Sequence, residues 1–182
     1  MLIYIFIFIV AIYIVFMMYF KLKYQFWSRQ PVFHFHNVLY WIFPPGIIQH
    51  SLPVLNKYYN SNILFDMYPK IDQNQKTDMF YLTRNHYLQE KQLEYNPTKK
   101  SIFSYFENHS HPCYLSLMYQ STPAFDVTNK QSLIQKKLIS TMTTRPLECF
   151  LDKQSILLYY VDYLCVHKKY RKQGKAPQII YT

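Results

Sequence analysis

"VDYLCVHKKYRKQGKAPQII", Val161 to Ile180, decides how the rest of the chain is read. Its first residues are apolar, β-branched and aromatic, the composition of a strand. A basic loop follows around Gly174, one of only two glycines in 182 residues. Ala176 and Pro177 then suit the opening of a helix, where the missing proline N–H has no partner to lose. A strand-to-helix turn of this kind is suited to holding phosphate. Successive backbone N–H groups cradle an anion, and the helix dipole adds favourable charge. Gly174 lets the backbone come close to a ligand and Ala176 keeps the next approach open. Lys168, Lys169, Arg171, Lys172 and Lys175 raise the local potential for a polyanion. Composition alone also allows a nucleic-acid patch or a localisation signal. The apolar strand before the loop, and the R-x-x-G-x-A order from Arg171 to Ala176, favour a nucleotide-type phosphate site.

Upstream of this stretch the hydrophobic period is that of strands. "CYLSLMYQ" alternates, "SLIQKKLISTMTTRPLECFL" suggests one or two strands around a turn, and "QSILLYYVDYLCV" reads as one long strand. Further upstream, Met79 to Gln92 has a helical pattern. A second helix is expected in "NPTKKSIFSYFENH", with Asn96 as N-cap and Pro97 in the first turn. Residues 51 to 78 suggest loop with a helical turn. The segment from Lys23 to Ile48, with Pro31 and the Pro44-Pro45-Gly46 turn, is expected to be irregular. Neither repeats nor low-complexity tracts are present. The order is α/β or α+β, with a central mixed sheet.

Leu2 to Phe20, "LIYIFIFIVAIYIVFMMYF", carries no charge over 19 residues. As a helix it roughly spans a hydrocarbon core of about 30 Å. A cleaved signal peptide is disfavoured, because no basic residue precedes the run and no small-residue cleavage site follows it. Lys21, Lys23 and Arg29 follow directly, which places the C-terminal side in the cytosol. The expectation is a single-pass anchor over residues 1–20. An arm at 21–58 and a folded lobe at 59–182 follow it.

Net charge is +10, and no acidic residue precedes Asp66. That balance suits phosphate-bearing ligands or an anionic membrane surface. The nineteen tyrosines and scarce glycines are what an AT-rich coding genome produces without functional pressure. Cys113, Cys149 and Cys165 are isolated and odd in number, which indicates neither a disulfide framework nor a zinc ribbon. His34-x-His36 and His109-x-His111-x-Cys113 have ligand-like residue types, and on strands each pair would share a face. No further ligand has suitable spacing, so no metal is expected. A G-x-S-x-G nucleophile elbow is impossible with these two glycines.

The stretch V-x-x-x-x-R-x-x-G-x-A resembles the acyl-CoA motif of the GNAT acyltransferases. More narrowly, "YLCVHKKYRKQGKAPQII" is similar to the strand-loop-helix of eukaryotic N-myristoyltransferases. "YQFWSRQPV", Tyr24 to Val32, resembles that family's N-terminal Tyr-Lys-Phe-Trp segment followed by Gln-Pro-Val. Weaker similarity in "HYLQEKQLEYNPTKKSIFSYF" and "LISTMTTRPLECF" extends the resemblance over about residues 24 to 182. Shortened myristoyltransferase-like proteins of large DNA viruses are similar too, which would imply a viral membrane or virion location.

The resemblance implies an incomplete GNAT-like lobe that takes acyl-CoA, typically myristoyl-CoA, as co-substrate. The backbone amides of Tyr163 and Leu164 would form the oxyanion hole for the thioester carbonyl. Val166 and the loop Arg171, Lys172, Gln173, Gly174, Lys175, Ala176 and Pro177 would hold the CoA pyrophosphate. Tyr24, Gln25, Phe26 and Trp27 would cover the nucleotide end. The residues themselves leave simpler roles open: Phe26 and Trp27 as interfacial aromatics below the anchor, and Tyr163 and Leu164 as strand core. Two departures stand out. Gln25 replaces the family's lysine, with Lys23 nearby. Asp162 replaces an asparagine beside the oxyanion site, where a carboxylate would repel developing negative charge unless turned away. The family's second lobe carries its general base, and this sequence ends as the first lobe's CoA helix begins.

The expected function is therefore a membrane-anchored acyltransferase-like protein that moves a fatty acyl group to an N-terminal glycine amine of an acceptor peptide. The alternatives are a catalytically inactive relative with a structural role at a viral membrane, and another GNAT N-acetyltransferase. A partner chain completing the sheet is expected, and nucleic acid is not.

Overall fold

The computed structural model describes residues 1–182 apart from 45, 47, 52, 90–94, 127–130 and 152. The chain divides into two units, Met1–Val54 and Leu55–Thr182.

In the first unit, helix α1 runs from Leu2 to Lys23 and none of its residues is buried. It is long and apolar enough to cross a membrane, and Lys21 and Lys23 close it, as the dipole favours at a C-terminus. A 3-10 turn, Trp27–Arg29, follows. Helix α2, Val38–Ile42, starts at Asn37, whose side-chain oxygen accepts the Leu39 N–H at 3.2 Å. The arm expected to be irregular thus holds one short capped helix. Its loops are tied by side chains, as where the Trp41 indole donates to the Phe35 carbonyl at 2.8 Å. Of the expected Pro44-Pro45-Gly46 turn, Pro45 lies outside the described residues.

The second unit contains strand β1, Ile63–Met67, helix α3, Gln73–His86, and helix α4, Lys99–Phe103. Strands β2, Tyr114–Asp126, β3, Gln131–Leu151, β4, Gln154–Val161, and β5, Cys165–Val166, follow, and helix α5, Lys175–Tyr181, ends it. The sheet order is β1-β2-β3-β4, with β5 also paired to β3. An α/β lobe is present, but each pairing is antiparallel, so the sheet is not mixed as expected. β2, β3 and β4 are joined by short connections and so return antiparallel; β1 is antiparallel to β2 although α3 and α4 lie between them in sequence.

Several boundaries differ from the sequence reading. β1 was hidden in a segment read as loop. α3 begins at Gln73 rather than Met79, because Asp72 and Gln75 form a reciprocal capping box with each other's backbone N–H. Residues 90–92 of the expected helix lie outside the described residues. α4 is capped by Thr98, not Asn96: the Thr98 hydroxyl accepts the Ser101 N–H at 3.2 Å, and Asn96 instead accepts from the Arg84 guanidinium at 2.6 Å. Of the one or two strands read in "SLIQKKLISTMTTRPLECFL", the structure has one, and β3 runs unbroken for 21 residues. Pro146 lies beyond Thr144, where β2 ends, so β3 is there an edge strand, which tolerates proline.

The inner part of the sheet is covered on both faces by helices. On one face, Met79, Phe80 and Leu82 of α3 and Ile102 of α4 pack with Leu115, Leu117, Leu138, Tyr163 and Cys165. On the other, Ile179 of α5 packs with Ile63, Met118 and Ile139. Met79, Ile102, Leu115, Leu117 and Ile179 are fully buried. The burial of these side chains, at about 1.5–3 kcal/mol each, is the main favourable term for the unit.

Candidate functional site

The long strand expected from Gln154 to Val166 is interrupted. β4 pairs with β3 up to Val161 opposite Thr144, and β5 resumes with Cys165 opposite Thr141. Four residues on one strand therefore answer three on the other. The Asp162 N–H still reaches the Thr143 carbonyl at 2.8 Å, and the His167 N–H reaches Ile139 at 2.9 Å. Tyr163 and Leu164 lie between, outside the ladder. This is the geometry of a β-bulge, which re-aims backbone groups beside functional sites.

The bulge is held from within the core. The Tyr163 side chain is buried among Tyr87, Tyr95, Tyr105 and Phe106, with ring centroids 5.5–6.4 Å away. Its hydroxyl pairs with that of Tyr95 at 3.2 Å. Burial, and then the bond to Tyr95, push the Tyr163 hydroxyl well above the ordinary phenol range, so it stays neutral. The reading of Tyr163 as a core residue and its reading as a backbone donor are thus compatible: side chain inward, main chain free of the ladder.

Asp162 bears on this bulge directly. Its carboxylate takes a two-pronged pair from Arg145 on β3, with Nη2 donating to Oδ1 at 3.2 Å and Nε to Oδ2. The Arg145 guanidinium also lies over the rings of Tyr105, at 4.8 Å, and Tyr160, at 5.8 Å. The negative charge expected to repel a developing oxyanion is compensated and oriented by a cation.

After β5 the chain makes a 3-10 turn, Lys168–Tyr170, then a turn from Arg171 to Gly174 that opens α5. Lys172 and Gly174 both have positive φ, 61° and 71°. Gly174 is the residue before α5, and a Cβ there would meet nothing within 4 Å. Glycine is favoured there by the left-handed backbone conformation rather than by crowding. Ala176 and Pro177 occupy the first turn of α5. Arg171 behaves unlike the other basic residues. Its Nε donates to the Val166 carbonyl at 3.1 Å and its Nη2 to the His86 carbonyl at 2.6 Å. Much of its donor fork is thereby directed at the protein.

A cleft of about 940 Å³ lies at one side of this unit, lined by Asn60, Gln75, Asp78, Tyr119, Lys136 and Lys175 among others. Of the expected site residues, only Lys175 lines it. The Tyr119 hydroxyl donates to Asp78 at 3.1 Å. Asn60 ties the start of β1 to α5 through the Thr182 hydroxyl at 3.2 Å and Gln178 at 3.5 Å.

Tyr24, Gln25, Phe26 and Trp27 belong to the first unit. Tyr24 and Trp27 line a pocket of about 240 Å³ with Phe20, Phe33, Phe35 and His36. Phe26 is buried and stands edge-on to Trp27 at 5.1 Å. The histidine pairs lie outside strands. His34 bonds the Gln30 carbonyl and His109 the Tyr105 carbonyl. Among the described residues no group of three or more His, Cys, Asp or Glu could hold a metal. Burial pushes the Cys165 thiol up to about 11, which makes it an unreactive core group. Arg145 and His86 lie in segments with weak similarity to the family, but neither was singled out as a site residue, because each is far in sequence from the basic loop.

The sequence profile described as "Myristoyl-CoA:protein N-myristoyltransferase, N-terminal domain" matches residues 47–182. Two crystal structures of Saccharomyces cerevisiae N-myristoyltransferase with bound myristoyl-CoA are similar in fold. One has a TM-score of 0.51 at 17% identity, covering 86% of this chain and 35% of the yeast chain. The other has a TM-score of 0.53 at 18% identity, covering 86% and 34%. The chain thus spans about a third of the length of these yeast proteins. A search of curated protein sequences finds no match.

Proposed function

The chain belongs to the myristoyl-CoA:protein N-myristoyltransferase family, whose N-terminal domain it matches, and on that premise we propose that it binds an acyl-CoA at the bulge and the basic loop. The observation that carries this reading is the register break at Tyr163 and Leu164, immediately followed by the Arg171–Gly174 turn into α5. The two backbone N–H groups outside the ladder are suited to a thioester carbonyl. They would stabilise the charge that develops on its oxygen. The turn, with Lys172, Gln173, Gly174, Lys175, Ala176 and Pro177, is suited to the CoA pyrophosphate, and Val166 to the chain leading away from it.

In the transfer step the acceptor amine nitrogen attacks the thioester carbonyl carbon. A C–N bond forms, the C–S bond breaks and CoA leaves as the thiol. The amine gives up one proton as the C–N bond forms, and the departing sulfur takes one up. Arg145 has a defined part in this chemistry. By holding the Asp162 carboxylate, it keeps an uncompensated negative charge from the developing oxyanion. Helix α1 would anchor the protein in a membrane with the lobe on the cytosolic side, as its length and the basic residues after it support.

Calorimetric titration of the full chain in detergent micelles with myristoyl-CoA, acetyl-CoA and free CoA tests the proposal. Micromolar binding of myristoyl-CoA, abolished in Gly174→Asp, is expected. No binding by protein that gives a cooperative unfolding transition would overturn the acyl-CoA reading. Binding without transfer to a glycine-terminated peptide would assign a binding role rather than an enzymatic one.

A further inference from the structure

Arg171 and two histidines form an arrangement that acyl-CoA binding does not itself require. The carbonyl that accepts the Arg171 Nη2–H belongs to His86, the last residue of α3. A helix C-terminus leaves such carbonyls unpaired and favours a cation there. The His86 ring meets the His167 ring with centroids 4.1 Å apart. His167 is fixed by its neighbours. Its N–H donates to Ile139 on β3, its carbonyl accepts the Tyr170 N–H at 2.8 Å, and its Nδ1 accepts the Lys169 N–H at 3.2 Å. That last bond requires an unprotonated Nδ1. The His86 Nδ1 is buried with no partner.

We propose that His86, His167 and Arg171 form a latch that seats the basic loop on the end of α3, and that the latch holds only while both rings are neutral. The proposal deepens the acyl-CoA reading, since the loop is the part proposed to hold pyrophosphate, but the latch itself needs no ligand.

The surroundings set the direction. Lys137 of β3, Lys168 and Arg171 face His86; Lys137, Lys169 and Arg171 face His167, whose ring also touches Tyr170. No carboxylate is among the groups acting on either ring. Burial first, and then these cations with the partner ring, hold His86 down to about 4; burial and the same kind of neighbours hold His167 below the ordinary imidazole value. A released ring titrates near its ordinary value of about 6.5. The released state therefore takes up protons first as pH falls. The stability of the latched state is fully present above about pH 6.5 and is lost on acidification from there toward about 4. Protonating His167 would also remove the acceptor for the Lys169 N–H.

Amide hydrogen exchange of the full chain in detergent, without ligand, tests this over residues 168–173 between pH 7.5 and 5, with intrinsic rates divided out. Residues 115–118 of β2 serve as the reference. Loop protection is expected to fall about tenfold relative to β2, short of the roughly thirtyfold that the full His86 shift allows, because the ring is partly exposed. His86→Gln should flatten the profile, and Arg171→Lys should show a weakly protected loop already at pH 7.5. A flat wild-type profile, a His86→Gln profile as steep as wild type, or a fully protected Arg171→Lys loop would each overturn the latch. CoA titration of the same samples separates the two proposals. The expected exchange pattern with no CoA binding at either pH would leave the latch standing and remove the acyl-CoA reading.

Discussion

Two stretches of strand β3 have opposite fates. From Leu138 to Thr144 it pairs with β2, with β5 on its other side at Ser140 and Thr141 and β4 beginning at Thr144, and Ile139, Ser140, Thr141 and Thr143 are all buried. From Arg145 to Leu151 it has only β4 beside it, and Leu147 and Phe150 are 49% and 73% exposed. β4 is exposed along its whole length, although Ile156 to Val161 carries no charged residue. Strand propensity is high in both stretches. The difference lies in what reaches them: α3, α4 and α5 cover the inner sheet, while the outer ribbon stands free in this chain. The Arg145–Asp162 pair sits where the covered stretch stops. A polar pair is least costly there, since both side chains keep some solvent, 27% and 13%.

The sharpest break of this comparison is a pair of truncations. Leu117→Ala, in the fully buried inner sheet, should cost about 2–5 kcal/mol in chemical denaturation of the full chain. Leu158→Ala, on the ribbon, should cost well under half of that. Equal losses would mean that the ribbon is packed in solution. Next comes the boundary. Arg145→Ala should cost about 1–2 kcal/mol by leaving the Asp162 carboxylate without its partner. Asp162→Asn should cost less, because the amide can still accept. If Arg145→Ala were neutral, the pair would not mark the edge of the core. The smallest effect on stability is expected for Leu158→Ser, within about 0.5 kcal/mol. Its visible consequence should be less light scattering at high concentration, since an apolar, uncharged edge strand is an association hazard.

The same contrast explains what was legible in advance. The loop around Gly174 could be found because its signals are local: a left-handed glycine, clustered cations, and proline in the first turn of a helix. The helix start at Asp72 was equally local, and its capping box was overlooked because the following turn is almost wholly polar. β1 carried too short a pattern, five residues with an aspartate among them, to stand out. Pro146 is compatible with a continuous β3 only because that part of the strand has a single neighbour. Whether β2 extended that far was not a sequence question.

Residue order by itself determined the apolar N-terminal helix, the strands after residue 113 and the glycine-centred basic turn into α5, since each depends on neighbours within a few positions. The tertiary structure alone decided the rest. The register of β3 against both β4 and β5 placed Tyr163 and Leu164 in a bulge. Packing of α3 against β5 brought His86 to His167 across 81 positions. Sheet pairing turned Asp162 toward Arg145. These are contacts between residues far apart in sequence, and their partners are chosen by the mutual fit of whole elements, which no local pattern encodes.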